Sequence, residues 1–120
     1  MISVNDLRIG NIVSYNGYVY RISALSKDFP FLDTDEFGFN IITYNNIHGV
    51  ELTPEILEKC GAVDGVFNIY NKLTLEFDFG NDFWLCKEDE ILVIFENIKH
   101  LHQLQNLYFF LTGKELNTQP

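Results

Sequence analysis

The sequence predicts an α+β protein made mainly of antiparallel β-strands, and three observations indicate this class. An Asn16-Gly17 pair separates two alternating segments, which is the strongest short-range signal for a β-hairpin. Alternating segments rich in aromatic and apolar residues recur between residues 66 and 95, each bounded by turn residues. One amphipathic helix follows, and its single apolar stripe needs a sheet face to cover.

Size and charge limit the class of protein. With 120 residues, the chain is expected to form a single domain over 1–120. We expect a small-barrel-like β subregion over 1–52, and a helix, a β-meander and a C-terminal helix over 53–120 that share the core. The net charge is −9, from 17 acidic and 8 basic residues, which disfavours direct binding to nucleic acid or to an anionic membrane.

The N-terminal residues and the cysteines predict a cytoplasmic protein. The opening sequence has neither a basic leader nor an apolar run, so no signal peptide is expected, and no apolar run reaches the length of a membrane span. Cys60 and Cys86 are too few for a disulfide framework and lie in predicted regular elements. Reduced, half-buried thiols are therefore expected.

The first half of the chain predicts four or five short strands in a strongly bent sheet or partial barrel of the Src homology three type. Two of them flank the Asn16-Gly17 turn, and Phe29 to Phe31 fits a strand or a loop equally well. An acidic turn follows at Asp33 to Glu36. The remaining strand-like segments are expected at about Phe39 to Tyr44 and at Ile47 to Leu52.

The middle of the chain predicts a short helix from Pro54 to Cys60. Thr53 is a suitable cap, proline is tolerated at the first helical position, and Gly61 ends the helix. Strands are then expected at Val66 to Tyr70, Leu73 to Phe79, Phe83 to Lys87 and Ile91 to Phe95. In the second of these, alternation assigns Leu73, Leu75, Phe77 and Phe79 to the core and Thr74, Glu76 and Asp78 to solvent.

The last helix is expected within His100 to Leu116. Its apolar face comprises Leu101, Leu104, Leu107, Tyr108 and Leu111. Gly113 is placed to end the helix in the left-handed conformation, and Leu116 can supply the accompanying apolar contact.

Three segments resemble a family of small uncharacterised proteins of Bacteroides-type bacteria, often carried by prophages and other mobile elements. These segments are Leu7-Arg8-Ile9-Gly10-Asn11, the helix start Leu52 to Leu57 with Cys60-Gly61, and His102 to Phe109 with Leu111-Thr112-Gly113 and Glu115-Leu116. The resemblance spans nearly the whole chain and implies a context but no activity, cofactor or catalytic residue. The chain departs from the family at Phe110, where a small residue is expected, and at Ala62-Val63, where an aromatic residue usually follows the glycine.

Few residues suggest catalysis or metal binding. His100 and His102, two positions apart on a helix, would point about 200° apart around the axis and would not meet one metal ion, and even an extended pair would need a distant third ligand such as His48 or an acid. If the helix begins after Leu101, the pair could instead be extended. No motif joins Cys60 to a histidine, and the acidic clusters at 33–36, 76–82 and 88–90 are best explained as solvated turns.

The amides and one aromatic residue of the last helix are the candidate contact residues. Gln103, Gln105 and Asn106 could form a polar recognition face, or could tie the helix to nearby backbone groups. Phe110 lies opposite the apolar stripe, so it is either covered by the loop after Gly61 or exposed to a partner. We take Phe110, Gln103 and Asn106 as possible partner contacts.

The sequence therefore predicts a non-enzymatic accessory or adaptor protein of a prophage or mobile element, with no cofactor, that contacts an unidentified protein. One alternative is an acidic nucleic-acid mimic that inhibits a host nuclease or DNA-binding protein. A second is a small hydrolase or metal enzyme.

Overall fold

A computed structural model of the chain describes residues 2–33, 42–78 and 82–118. The backbone divides into two compact units. Unit 1 comprises Met1–Glu51 and His100–Asn106, and unit 2 comprises Leu52–Lys99 and Leu107–Pro120. The expectation of a single domain with one shared core stays a prediction.

Unit 1 contains a four-stranded antiparallel sheet. Its strands are β1 (Ile12–Tyr15), β2 (Tyr18–Leu25), β3 (Pro30–Leu32) and β4 (His48–Gly49), in the order β3-β2-β1-β4. The predicted hairpin is confirmed: Tyr15 pairs with Tyr18, and Asn16 and Gly17 both have positive φ, at 52° and 80°. The core of this unit consists of Ile2, Leu7, Val13, Ile22, Leu32, Ile42 and Ile47.

The prediction of a strand at Phe39 to Tyr44 is wrong for the residues of this segment that the structure describes. Residues 39–41 lie outside the described ranges, Ile42 and Thr43 belong to no strand, and Tyr44–Asn46 form a single 3-10 turn. The backbone N–H of Asn46 donates to the Thr43 carbonyl at 3.0 Å. Two consecutive asparagines favour such a local turn over a strand ladder, and this preference outweighed the β propensity of the preceding residues.

Unit 2 begins with helix α1 (Pro54–Lys59), which confirms the predicted helix start. The hydroxyl of Thr53 accepts the backbone N–H of Ile56 at 3.2 Å, so one of the free donors of the first turn is satisfied. Leu57 is the buried residue of this helix. The chain leaves the helix at Gly61, where φ is 102°.

The predicted meander is present as four antiparallel strands in sequence order. They are β5 (Val66–Tyr70), β6 (Leu73–Asp78), β7 (Asp82–Lys87) and β8 (Glu90–Phe95). Its buried side chains include Phe67, Leu75, Phe83 and Cys86. Together with two helices, the two sheets confirm the α+β class.

The two faces of β6 differ less in solvent exposure than predicted. Leu75 is buried, but Leu73, Phe77, Thr74, Glu76 and Asp78 are all half-buried. The supposed solvent side is partly covered because Trp84 and Cys86 of β7 lie directly opposite Glu76 and Thr74.

Helix α2 spans Leu101–Thr112. On the predicted stripe, Leu101, Leu104 and Leu107 are buried and Tyr108 and Leu111 are half-buried, so this face is confirmed. The helix ends at Gly113, whose φ is 71° and whose N–H donates to the Phe109 carbonyl at 2.8 Å. Among the described residues, no helix has both the length and the apolar character needed to cross a membrane.

Candidate functional site

Strand β8 carries four consecutive apolar side chains that remain open to solvent. The exposed fractions are 47% for Ile91, 49% for Leu92, 43% for Val93 and 50% for Ile94. A sheet with one face in the core normally alternates between buried apolar and exposed polar residues. β8 is instead apolar and half-open from Ile91 to Ile94, which marks it as a surface suited to contact with another molecule.

A β-bulge explains why the alternation fails. Val93 pairs with Leu85 and Ile91 with Cys86, so Leu92 is the extra residue of β8. Because cross-strand partners share a face, Ile91 and Ile94 lie on the face of Cys86 and Trp84. Val93 lies on the other face, so both faces of β8 present apolar side chains.

The outer edge of β8 also carries little of the protection that edge strands usually have. β8 is the last strand in the order β5-β6-β7-β8, and no strand in the described ranges pairs with its far side. Edge strands are usually protected by proline, lysine or an inward-pointing charge, and the segment from Ile91 to Phe95 contains none of these residues. Its bulge is the one protective device present. The edge therefore offers backbone N–H and C=O groups to an added strand.

Acidic residues stand at both ends of β8. Glu88 and Asp89 form the exposed turn that precedes it, where Glu88 pairs with Lys72 at 3.3 Å, and Glu90 is the first residue of the strand. Glu90 has Lys87 as its cross-strand partner. At this end, therefore, lysines accompany the carboxylates.

The far end of β8 is more strongly acidic. Glu96 follows the strand and is exposed, and Asp82 accepts the N–H of the next residue, Asn97, at 3.4 Å. Asp78 lies directly opposite Asp82 across the β6–β7 ladder. Three acidic residues thus stand at this end of the neighbouring strands β6, β7 and β8.

Phe110, a candidate contact residue, is 78% exposed near the end of α2. Of the two environments considered for it, the structure shows the exposed one. Its neighbour Phe109 is also exposed. The role of Phe110 as a partner contact stays a prediction.

The amide side chains of α2 tie the start of that helix to residues 6–12 within unit 1. Gln105 is fully buried: its Oε1 accepts the N–H of Ile12 at 2.7 Å and its Nε2 donates to the Gly10 carbonyl at 3.0 Å. Of the two roles considered for these amides, Gln105 therefore ties the helix to nearby backbone groups.

Asn106 uses both ends of its amide. Its Oδ1 accepts from Arg8 Nε and from Asn11 Nδ2, each at 2.9 Å, and its Nδ2 donates to the Asp6 carbonyl at 2.9 Å. The Oε1 of Gln103 accepts the backbone N–H of His100 at 3.0 Å, which caps the start of the helix. Gln103 and Asn106, two of the three candidate contact residues, therefore also make hydrogen bonds that stabilise the fold.

His100 and His102 come together, contrary to the helical geometry predicted for them. The helix begins at Leu101, so His100 precedes it and pairs with Glu51 in an isolated bridge. The two imidazole rings stack with their centroids 5.7 Å apart. His102 is 3% exposed, and its Nδ1 has no hydrogen-bond partner among the described residues. Burial, with a smaller effect of His100, lowers the pKa of His102 to about 4.

The remaining candidate ligands do not converge. His48 is exposed on β4, and in the described ranges no three His, Cys, Asp or Glu residues are grouped to hold a metal ion. Asp33 is exposed, whereas the rest of the acidic turn at 34–36 lies outside those ranges.

Both cysteines are free and buried. Burial raises the pKa of the Cys60 thiol. Burial and the nearby Glu76 carboxylate raise the pKa of Cys86 to about 11. Since the thiolate is the reactive form, these environments disfavour nucleophilic chemistry at neutral pH.

A scan against protein-family models, a search of the curated proteins and a search of the solved structures return no match to this chain. The β8 surface therefore has to be judged on its own geometry. Sequence reasoning placed Ile91 to Phe95 in the meander but missed its exposure. The signal was available: five consecutive apolar residues in the strand before the final helix, with no further strand to cover them.

Proposed function

We propose that this chain is a non-enzymatic accessory or adaptor protein that binds an extended segment of another protein along β8. The observation that carries the proposal is the edge strand whose four consecutive apolar side chains are 43–50% exposed. An added strand would pair with the free backbone groups and remove these side chains from water, at about 25 cal/mol per Å² of apolar area.

Two further features support a binding role over a catalytic one. The raised pKa values of Cys60 and Cys86 keep both thiols protonated at neutral pH. The amides of Gln105 and Asn106 are engaged in hydrogen bonds within unit 1. The resemblance to mobile-element proteins supports an accessory role in that setting.

Site-specific photo-crosslinking tests the proposal. A photoreactive phenylalanine analogue at Leu92 is expected to give a discrete adduct with another protein in host cells, and Ile94→Lys is expected to abolish that adduct. The Phe110→Ala variant is the matched control, because it removes an exposed apolar side chain outside β8. Adducts that survive Ile94→Lys but disappear with Phe110→Ala would move the contact surface to the end of α2 and refute the assignment to β8.

A further inference from the structure

We propose that the segment bound by β8 has an apolar centre and a basic residue at each end. This inference rests on the proposed function and specifies the chemistry of the partner. It depends on two features of the described residues: the apolar faces of β8 and the carboxylates that flank it.

The apolar centre follows from the two faces of the strand. Ile91 and Ile94 share one face and Val93 lies on the other, each about half exposed. Side chains of an added strand alternate between these same faces. An added segment therefore has apolar neighbours on both sides, and β-branched residues fit a half-buried pleated surface best.

The basic ends follow from the charges. Glu90 begins β8 and Glu96 follows it, and both are exposed. A residue directly across a ladder from a carboxylate is stabilised when it carries the opposite charge. The end near Glu96 should select more strongly, because Asp82 of the adjacent strand β7 lies there, whereas Lys87 lies opposite Glu90.

The same charges disfavour a second copy of this chain as the occupant. In a symmetric antiparallel pair of β8 strands, one residue faces its own copy, and the two pairings of longest overlap centre on Leu92 or on Val93. Centring on Leu92 places Glu88 across from Glu96, and centring on Val93 places Glu90 across from Glu96. Like charges directly opposite destabilise a pair, and each copy also carries a net charge of −9.

Three synthetic peptides test the inference with the full-length protein. Each has the core Val-Thr-Ile-Thr-Val, flanked at both ends by two lysines, two glutamines or two glutamates. Titration calorimetry, with amide NMR shifts to locate the site on β8, is expected to show about tenfold tighter binding of the lysine-flanked than of the glutamine-flanked peptide. The glutamate-flanked peptide should be weakest, and the differences should shrink as salt is added.

A charge variant checks the assignment to the Glu96 end. Glu96→Lys should weaken binding of the lysine-flanked peptide several-fold and strengthen binding of the glutamate-flanked one. Glu58→Lys is the matched control, because it makes the same change of charge at an exposed site on α1 and should alter neither affinity.

The outcomes separate the two proposals. Equal binding of the lysine-flanked and glutamine-flanked peptides would overturn the basic-ended partner and leave strand binding intact. No binding of any peptide to β8 would count against the proposed function as well. If sedimentation shows a dimer that Val93→Lys dissociates, the occupant is a second copy and the inference is wrong.

Discussion

The buried side chain of Gln105 accepts the backbone N–H of Ile12 at 2.7 Å and so connects α2 to the first residue of β1. The same amide donates to the Gly10 carbonyl at 3.0 Å. The N–H of Ile12 thus depends on a side chain 93 positions away in the sequence, whereas the Gly10 carbonyl also accepts from Nη1 of Arg21 at 3.1 Å.

Replacing Gln105 by leucine should therefore be costly. Gln105→Leu keeps a similar volume but leaves the N–H of Ile12 without its partner, whereas the carbonyl of Gly10 keeps its hydrogen bond from Arg21. We expect the free energy of unfolding to fall by about 2 kcal/mol, since a buried polar group left unpaired costs about 1–3 kcal/mol. Urea denaturation measures this change. Asn68→Leu, at an exposed position of β5, should change the stability by less than about 0.5 kcal/mol.

Gly49→Ala should destabilise the protein through a steric clash with His100. A Cβ atom on Gly49 would lie 2.6 Å from Cδ2 of His100 and 2.8 Å from its Cβ. Overpacking of this kind costs about 1–3 kcal/mol. In a double-mutant cycle, Gly49→Ala should cost much less in a His100→Gly background, because that variant removes both the ring and the Cβ of His100. If the two losses simply add, the clash is not the cause.

Stability should fall between neutral and mildly acidic pH because of His102. Its pKa is about 4 in the folded protein, below the ordinary 6.5, so the unfolded state binds its proton first as pH falls. The contribution is complete above pH 6.5 and is lost as pH falls toward 4. Between pH 7.5 and 5 we expect a loss of about 2 kcal/mol, at 1.36 kcal/mol per pKa unit.

The His102→Phe variant isolates this effect. It keeps an aromatic ring beside His100 and removes the titrating group, so its free energy of unfolding should vary less with pH over that interval. Urea titrations at both pH values give the comparison. An equally steep pH dependence in the variant would assign the loss to other groups.

Both cysteines should resist thiol reagents while the protein is folded. Cys60 and Cys86 are buried, and the pKa of Cys86 is raised to about 11. Ellman's reagent at pH 8 should react slowly with the native protein. In urea, which unfolds the protein, both thiols should react within minutes. A rapid reaction of one thiol in the native protein would show that its environment opens readily.

Much of the fold could be predicted because its signals are local. The Asn16-Gly17 hairpin, the Thr53 cap and the glycine after α2 each depend on a few neighbouring residues. The 3-10 turn at Tyr44–Asn46 was missed because strand propensity in the preceding residues concealed a short-range turn preference.

The candidate site was harder to predict for a different reason. Periodicity identifies Ile91 to Phe95 as a strand, but the position of a strand in its sheet depends on the order of all the strands. The bulge at Leu92, which places Ile91 and Ile94 on one face, depends on the pairing with β7. The hydrogen bonds of Asn106 likewise join residues about a hundred positions apart, beyond the reach of a local pattern.

The open edge of β8 also bears on how the protein behaves when it is concentrated. Electrostatic repulsion between copies, set by a net charge of −9, opposes edge-to-edge stacking at neutral pH. That repulsion vanishes near the isoelectric point of about 4.5 and is screened by salt. Acidic or high-salt buffers should therefore promote fibrillar precipitation, whereas dilute neutral buffers should keep the protein dispersed.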